Sequence, residues 1–171
     1  MSPFAARTQI GEGFVGEGPH AAHVNTVLGR KGGSVETAWV TAMATPRAGH
    51  VPFVAVLRPN LAVKPLTLFV NKAPLTDDDH SRLTWGAGQA GVAVGVTESV
   101  GAGVVPEEEA DDLLVIAAVW INPAARDEEA IFANNRAATR AALEAGTRAA
   151  PTVADVLARV ADPSNPYFRV S

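Results

Sequence analysis

The apolar positions of this chain recur at two spacings, one near two residues and one between three and four. Residues 8–16 mix glycine with Ile10, Phe14 and Val15, which predicts a glycine-interrupted strand. Gly16-Glu17-Gly18-Pro19 is turn chemistry, because glycine supplies positive φ and proline fixes φ. Residues 22–28 alternate and predict a second strand, so 8–28 reads as a hairpin. After the Gly29-Arg30-Lys31-Gly32-Gly33 turn, Val35, Ala38, Trp39, Ala42 and Met43 fall at helical spacing. Ser34 is the expected N-cap of that helix, Glu36 lies in its first turn, and Pro46 and Gly49 end it. Residues 51–57 and 66–71 predict two buried strands, followed by a loop marked by Pro74 and the acidic run 77–79.

Residues 86–101 place Val92, Val96 and Val100 four apart and predict a helix, despite five glycines. An interior glycine costs about 1 kcal/mol relative to alanine, so such a helix is expected to lie close against other backbone or a ligand. Pro106 is read as the N1 residue of a short acidic turn. The run 113–121 is apolar throughout and predicts a central strand covered on both faces. Asn122-Pro123 reads as N-cap and N1 of a helix to about Ala145, with Gly146 as its C′ residue. Thr152 starts a capping box, and Val153, Val156, Leu157 and Val160 form the stripe of a last helix, stopped by Pro163. The sum is an α/β fold of about five strands and four or five helices, in a single domain over residues 1–171.

Composition narrows the function. The 171 residues contain no cysteine, which removes disulfides, thiolate nucleophiles and cysteine-ligated metals. The formal charge of −4 argues against a nucleic-acid partner, which needs a basic stripe. The longest apolar run is too short for a membrane helix of about 20 residues, and Met1 is followed by no secretory pattern. A cytoplasmic protein with no membrane partner is expected. The mean hydropathy of +0.11 is high for such a chain and implies either a large core or apolar surface covered by copies of itself.

Four histidines, at positions 20, 23, 50 and 80, are the acid–base candidates near neutral pH. His23 opens an apolar strand just past a turn, where a side chain is held by a strand and still reaches a cleft; a hydrogen-bonded strand-end histidine with no role fits the same pattern. His20 and His23 are three apart on extended chain and point to opposite faces, so no shared metal is expected. The glycine runs 11–18 and 29–33 match no phosphate-binding pattern; the 29–33 turn opens a helix at Ser34, so weak anion binding stands there beside a plain turn. Only three lysines stand against eleven arginines. Lys72, beside Asn71 at a strand end, suits a compact ammonium or an amine that meets a carbonyl, or is an ordinary surface lysine. The acidic stretches 77–79 and 107–112 read as solvated faces.

Several segments together resemble one family. They are Ile10-Gly11-Glu12-Gly13-Phe14-Val15-Gly16-Glu17-Gly18, Ala22-His23-Val24-Asn25, Ser34-Val35-Glu36-Thr37-Ala38, Arg58-Pro59-Asn60-Leu61, Lys64-Pro65, Asn71-Lys72, Gly86-Ala87-Gly88-Gln89-Ala90, and Val105-Pro106 through Leu113. In order and spacing, almost without gaps from about residue 8 to 145, they are similar to the formaldehyde-activating enzymes. The resemblance implies a fold like domain 2 of ribosomal protein S5. It implies a lyase that condenses formaldehyde with tetrahydromethanopterin to the methylene derivative and water, in one-carbon metabolism or formaldehyde detoxification. It also implies a homopentameric ring with sites between neighbouring subunits. No tightly bound cofactor is expected; the reduced pterin is a co-substrate.

By the same resemblance His23 is the general acid, and Asn25, Val54, Lys72, Pro74 and Gln89 contact the pterin. The sequence departs from the family at three of the matched positions: Asn25 replaces an aspartate, Pro74 a threonine, and Trp85 a phenylalanine. Asn25 keeps hydrogen bonding and loses a charge. Two alternatives therefore stand beside the family reaction: another amine acceptor, such as tetrahydrofolate or a biosynthetic intermediate, and a non-catalytic protein that binds formaldehyde or a pterin.

Overall fold

A computed structural model describes residues 7–165 and 168–169 of the chain. The two glycine-flanked strands form the expected hairpin. β1 (Gln9–Val15) runs antiparallel to β2 (Ala22–Arg30), with Glu12 opposite Asn25 and Phe14 opposite His23. A five-stranded sheet follows in the order β1-β2-β7-β6-β3, where β3 is Phe53–Val54, β6 is Leu66–Asn71 and β7 is Leu113–Trp120. β6 and β7 are parallel and every other pair is antiparallel. The apolar run thus becomes the middle strand, as its composition predicts.

Helices cover one face of this sheet. α3 (Gln89–Gly101) and α4 (Glu128–Arg148) pack on each other and over Ala22, Val24, Phe69, Val115, Ala117 and Val119, all buried. The glycines of α3 explain themselves here. A Cβ on Gly91 would meet the Phe132 carbonyl, and one on Gly95 the Arg136 carbonyl at 2.7 Å, so both are sites of helix–helix backbone approach. The Glu98 carboxylate ties the same pair of helices, accepting from Arg136 with Arg140 alongside.

The other face of the sheet is covered only at one end, by α1 (Ser34–Ala44), whose Val35 packs on Gly29. Along β7, Leu113, Val115, Ala117 and Val119 are buried, whereas Ile116, Ala118 and Trp120 are half-buried. The expectation of a strand covered on both faces is therefore corrected: within one chain the second face stays partly open.

Other boundaries differ for local physical reasons. Gly33, not Ser34, is the N-cap of α1, and of its predicted stripe only Val35 is buried. The strand expected over 51–57 is broken at the buried Ala55 into β3 and β4 (Val56–Arg58), the latter pairing with β5 (Leu61–Ala62). The acidic run read as a loop is a helix start: Asp77 caps α2 (Asp78–Leu83) by accepting from the His80 N–H at 2.7 Å. Residues Thr84–Gly88 form a π-helical turn before α3. Pro106 is the N-cap, not N1, of the 3₁₀ turn Glu107–Glu109. Asn122 closes a turn by accepting from the Ala124 N–H, and α4 begins only after its true cap, Asp127, whose carboxylate accepts from the Ala130 N–H. Its end passes through Gly146 to Ala149, which takes the left-handed conformation. The Thr152–Asp155 capping box forms as predicted and starts α5 (Val153–Leu157). Its apolar stripe is exposed in the single chain and does not enter the core. A last pair, β8 (Ser164–Asn165) and β9 (Phe168–Arg169), closes the described chain. No helix among the described residues is long and apolar enough to cross a membrane.

Candidate functional site

The alternation of the first strand builds the site. Gly11 and Gly13 face α4, where a Cβ would collide with the Ala142 and Ala138 carbonyls. The intervening Glu12 and the following Phe14 are thereby turned to the open face. His23 and Asn25 of β2 lie on that face, opposite Phe14 and Glu12. Trp120 lies opposite His23 on the far side, from the end of β7. Lys72 follows β6, and its N–H donates to the Val119 carbonyl at 2.8 Å, extending the ladder beside Trp120. Four strands thus deliver Glu12, Phe14, His23, Asn25, Trp120 and Lys72 to one concavity. The 16–19 turn and the segment after α5, with Asp162, Ser164 and Asn165, form its rim.

Within it, His23 Nε2 lies 3.0 Å from Glu12 Oε1. The Phe14 ring packs against the imidazole at 5.9 Å between centroids. Lys72 Nζ donates to Asn25 Oδ1 at 2.6 Å. Burial is the main force on the His23 titration, pulling its pKa below the ordinary histidine value. The Lys72 charge adds to that pull, and the Glu12 charge and hydrogen bond oppose it. Burial likewise lowers the Lys72 pKa, against the attraction of Glu12. The arrangement is one imidazole between a carboxylate and an ammonium on a half-solvated sheet face. It can move a proton and hold an electron-rich heterocycle by hydrogen bonds and ring packing.

The structure brings together three of the six residues singled out from sequence: His23, Asn25 and Lys72. The other three lie apart. Val54 is half-buried on the opposite edge strand, paired with Leu68, three strand spacings or roughly 14 Å across the sheet from β2. Gln89 is buried on the helix-covered side, its Oε1 accepting from the Val56 N–H at 2.6 Å and so pinning the broken edge strand. Pro74 is exposed and lies over Gly49. Glu12 was not singled out from sequence. Its signal was the Gly-Glu-Gly-Phe alternation, which becomes informative once the glycine face is known to meet a helix.

The remaining histidines have structural partners. His80 is buried, with Nε2 2.9 Å from the Ile121 carbonyl and Nδ1 near the Thr76 N–H and hydroxyl. His50 Nδ1 lies 2.9 Å from the Asn71 carbonyl. His20 Nε2 accepts from the Arg126 and Asp127 N–H groups ahead of α4. Among the described residues, no three His, Asp or Glu side chains gather into a metal-binding group.

The family model described as formaldehyde-activating enzyme matches residues 10–168. The chain is 40% identical to the 5,6,7,8-tetrahydromethanopterin hydro-lyase of Methanosarcina barkeri, over 94% of this chain and 90% of that protein. It is 39% identical to the bifunctional enzyme Fae/Hps of Archaeoglobus fulgidus and 40% to that of Methanococcoides burtonii, over 87% and 86% of this chain. It spans 38% and 37% of those two longer proteins. With a family match over most of the chain, and the hydro-lyase covered over nearly its whole length, the chain belongs to the formaldehyde-activating enzyme family.

Proposed function

We propose that this protein condenses formaldehyde with a reduced pterin of the tetrahydromethanopterin type, giving the methylene derivative and water. The observation that carries the reading is the meeting of His23, Asn25 and Lys72 in one open concavity, in a chain of this family. An amine nitrogen adds to formaldehyde readily, but the carbinolamine must then lose hydroxide, a poor leaving group. A positioned imidazolium that protonates this oxygen accelerates the loss by about 10²–10⁴-fold. His23 is that acid. Lys72 and Asn25 hold the pterin edge, and the Phe14 and Trp120 rings supply apolar area for a flat heterocycle.

Val54 and Pro74 enter this reading as a second half-site, facing the first across a subunit boundary, and Gln89 enters it from behind, its side chain holding β4 next to Val54. Each chain then presents the acid to one neighbour and a pterin-contacting edge to the other. A ring of five copies, each a single domain with a fold like domain 2 of ribosomal protein S5, satisfies that requirement. The open sheet face and the exposed Ile10, Phe14, Val40 and Met43 support association through this side. The setting is cytoplasmic one-carbon metabolism or formaldehyde detoxification, with the pterin as co-substrate and no resident cofactor.

A second reading keeps the chemistry and changes the acceptor. Asn25 motivates it: its carboxamide oxygen is engaged by Lys72 and brings no charge to the pterin edge. Purified protein assayed with formaldehyde and a panel of tetrahydromethanopterin, tetrahydrofolate and simple diamines separates the readings. Acceleration confined to the first supports the main proposal, and acceleration confined to another acceptor replaces it. Saturable pterin binding without acceleration of any acceptor means a binding protein.

A further inference from the structure

A protonated imidazole has two N–H donors, and what faces each nitrogen decides which proton is delivered. His23 Nε2 is 3.0 Å from Glu12 Oε1, its ring rests on Phe14, and no second partner meets the imidazole among the described residues. A carboxylate only accepts hydrogen bonds, so the nitrogen facing it carries hydrogen in both the neutral and the charged ring. Nδ1 is left as the nitrogen whose proton comes and goes.

We propose, resting on the condensation assigned above, that Glu12 is the positioning residue of this site: it holds His23 through Nε2 and thereby makes Nδ1 the proton donor to the carbinolamine oxygen. The step balances. The Nδ1 proton passes to the hydroxyl, the C–O bond breaks with its electron pair on oxygen, water leaves, and the amine lone pair forms the iminium. The second amine then attacks the iminium carbon, and the proton it sheds returns to Nδ1. Throughout, Nε2–H stays on Glu12.

Two structural facts make Glu12 suited to the role. It sits on the strand next to His23, and the backbone behind it is pressed onto α4 at Gly11 and Gly13, so its Cα has little freedom to move. It is also the carboxylate that meets the ring where Asn25 brings only an amide. The charged groups around His23 are Glu12 from β1 and Lys72 from the end of β6, with Glu17 and Asp162 on the rim of the same concavity. Lys72 works against the charged imidazole and Glu12 works for it.

The test uses the full chain, ¹⁵N-labelled at histidine, as wild type, Glu12→Gln and Glu12→Asp. Nitrogen shifts and a pH titration of His23 are recorded beside the pH profile of condensation. The expected result has four parts: an Nε2–H neutral tautomer in the wild type, a midpoint lower by roughly 0.5–1 pH unit in Glu12→Gln, a pH-rate limb that moves the same way with about 10-fold lower kcat at neutral pH, and partial recovery of both in Glu12→Asp. An Nδ1–H tautomer in the wild type overturns the proposal. So does a Glu12→Gln variant with unmoved midpoint and limb, since a purely structural loss lowers the rate at every pH alike. A wild-type protein that accelerates no acceptor overturns the reaction itself, which the spectra of the resting ring distinguish from failure of the pairing.

Discussion

Lys72 Nζ donates to Asn25 Oδ1 at 2.6 Å, an ammonium held by a neutral amide on the adjoining part of the sheet. Replacing that amide by a carboxylate, Asn25→Asp, turns the contact into an ion pair and adds a negative charge near His23. The charged imidazole is then favoured, and its midpoint moves up. We expect condensation at pH 7 to rise, or pterin affinity to tighten, by about 3- to 10-fold. Steady-state kinetics with tetrahydromethanopterin checks it, and a variant slower at every pH contradicts the electrostatic account.

His23→Gln removes the acid and leaves a side chain that can still meet Glu12. The catalysed rate should fall by about 10²–10⁴-fold toward the background condensation, with unchanged circular dichroism and thermal midpoint. A rate within a few-fold of wild type would falsify the role of His23.

The pH dependence follows from the direction of the His23 shift. Burial and Lys72 place its pKa below 6.5, and in the role proposed for His23 the acid form is the active one. The enzymatic rate, after subtraction of the uncatalysed reaction, should therefore decline as pH rises through that pKa and be low at pH 8. Lys72→Met removes the neighbouring charge, so its limb should move up in pH while the KM for pterin rises. Movement of the limb down in pH would contradict the sign worked out here.

Gly13→Ala tests the foundation of the site. The added methyl would overlap the Ala138 carbonyl, and neither partner is a flexible side chain. We expect a loss of about 3 kcal/mol or more, read by urea denaturation, and a loss of activity in the molecules that do fold.

His80→Leu separates a structural histidine from a chemical one. It strands the Ile121 carbonyl and the Thr76 N–H, and should cost about 1–3 kcal/mol of stability. The kcat per folded molecule should stay within about 2-fold.

What the residues reveal before folding depends on how local the physics is. The apolar run of β7, the β1–β2 hairpin and the glycine-bearing α3 follow from patterns a few residues wide, and each is where expected. α2 was hidden because six residues are too few to show a stripe, and its acidic start looks like a loop until Asp77 is seen to cap His80. The start of α4 misled because Asn122-Pro123 suits a turn as well as a cap. His23 and Lys72 stand out by residue type and place at strand ends, and Asn25 only through family-like spacing. Glu12 does not, since its meeting with His23 depends on strand register. The exposed stripe of α5 shows the converse: periodicity reports an apolar face but not what covers it.

The paired glycines of β1 have one more effect. If the strand slid by one residue along β2, a side chain would face the Ala138 and Ala142 carbonyls, where not even a methyl fits. A slide of two residues would bring Val15 or Gln9 into one of those two places. Both small slips are forbidden, so the hairpin can close in a single alignment, and that alignment sets Glu12 beside the imidazole. The spacing of the two groups is thus fixed by sterics on the opposite side of the sheet, before any attraction between them acts.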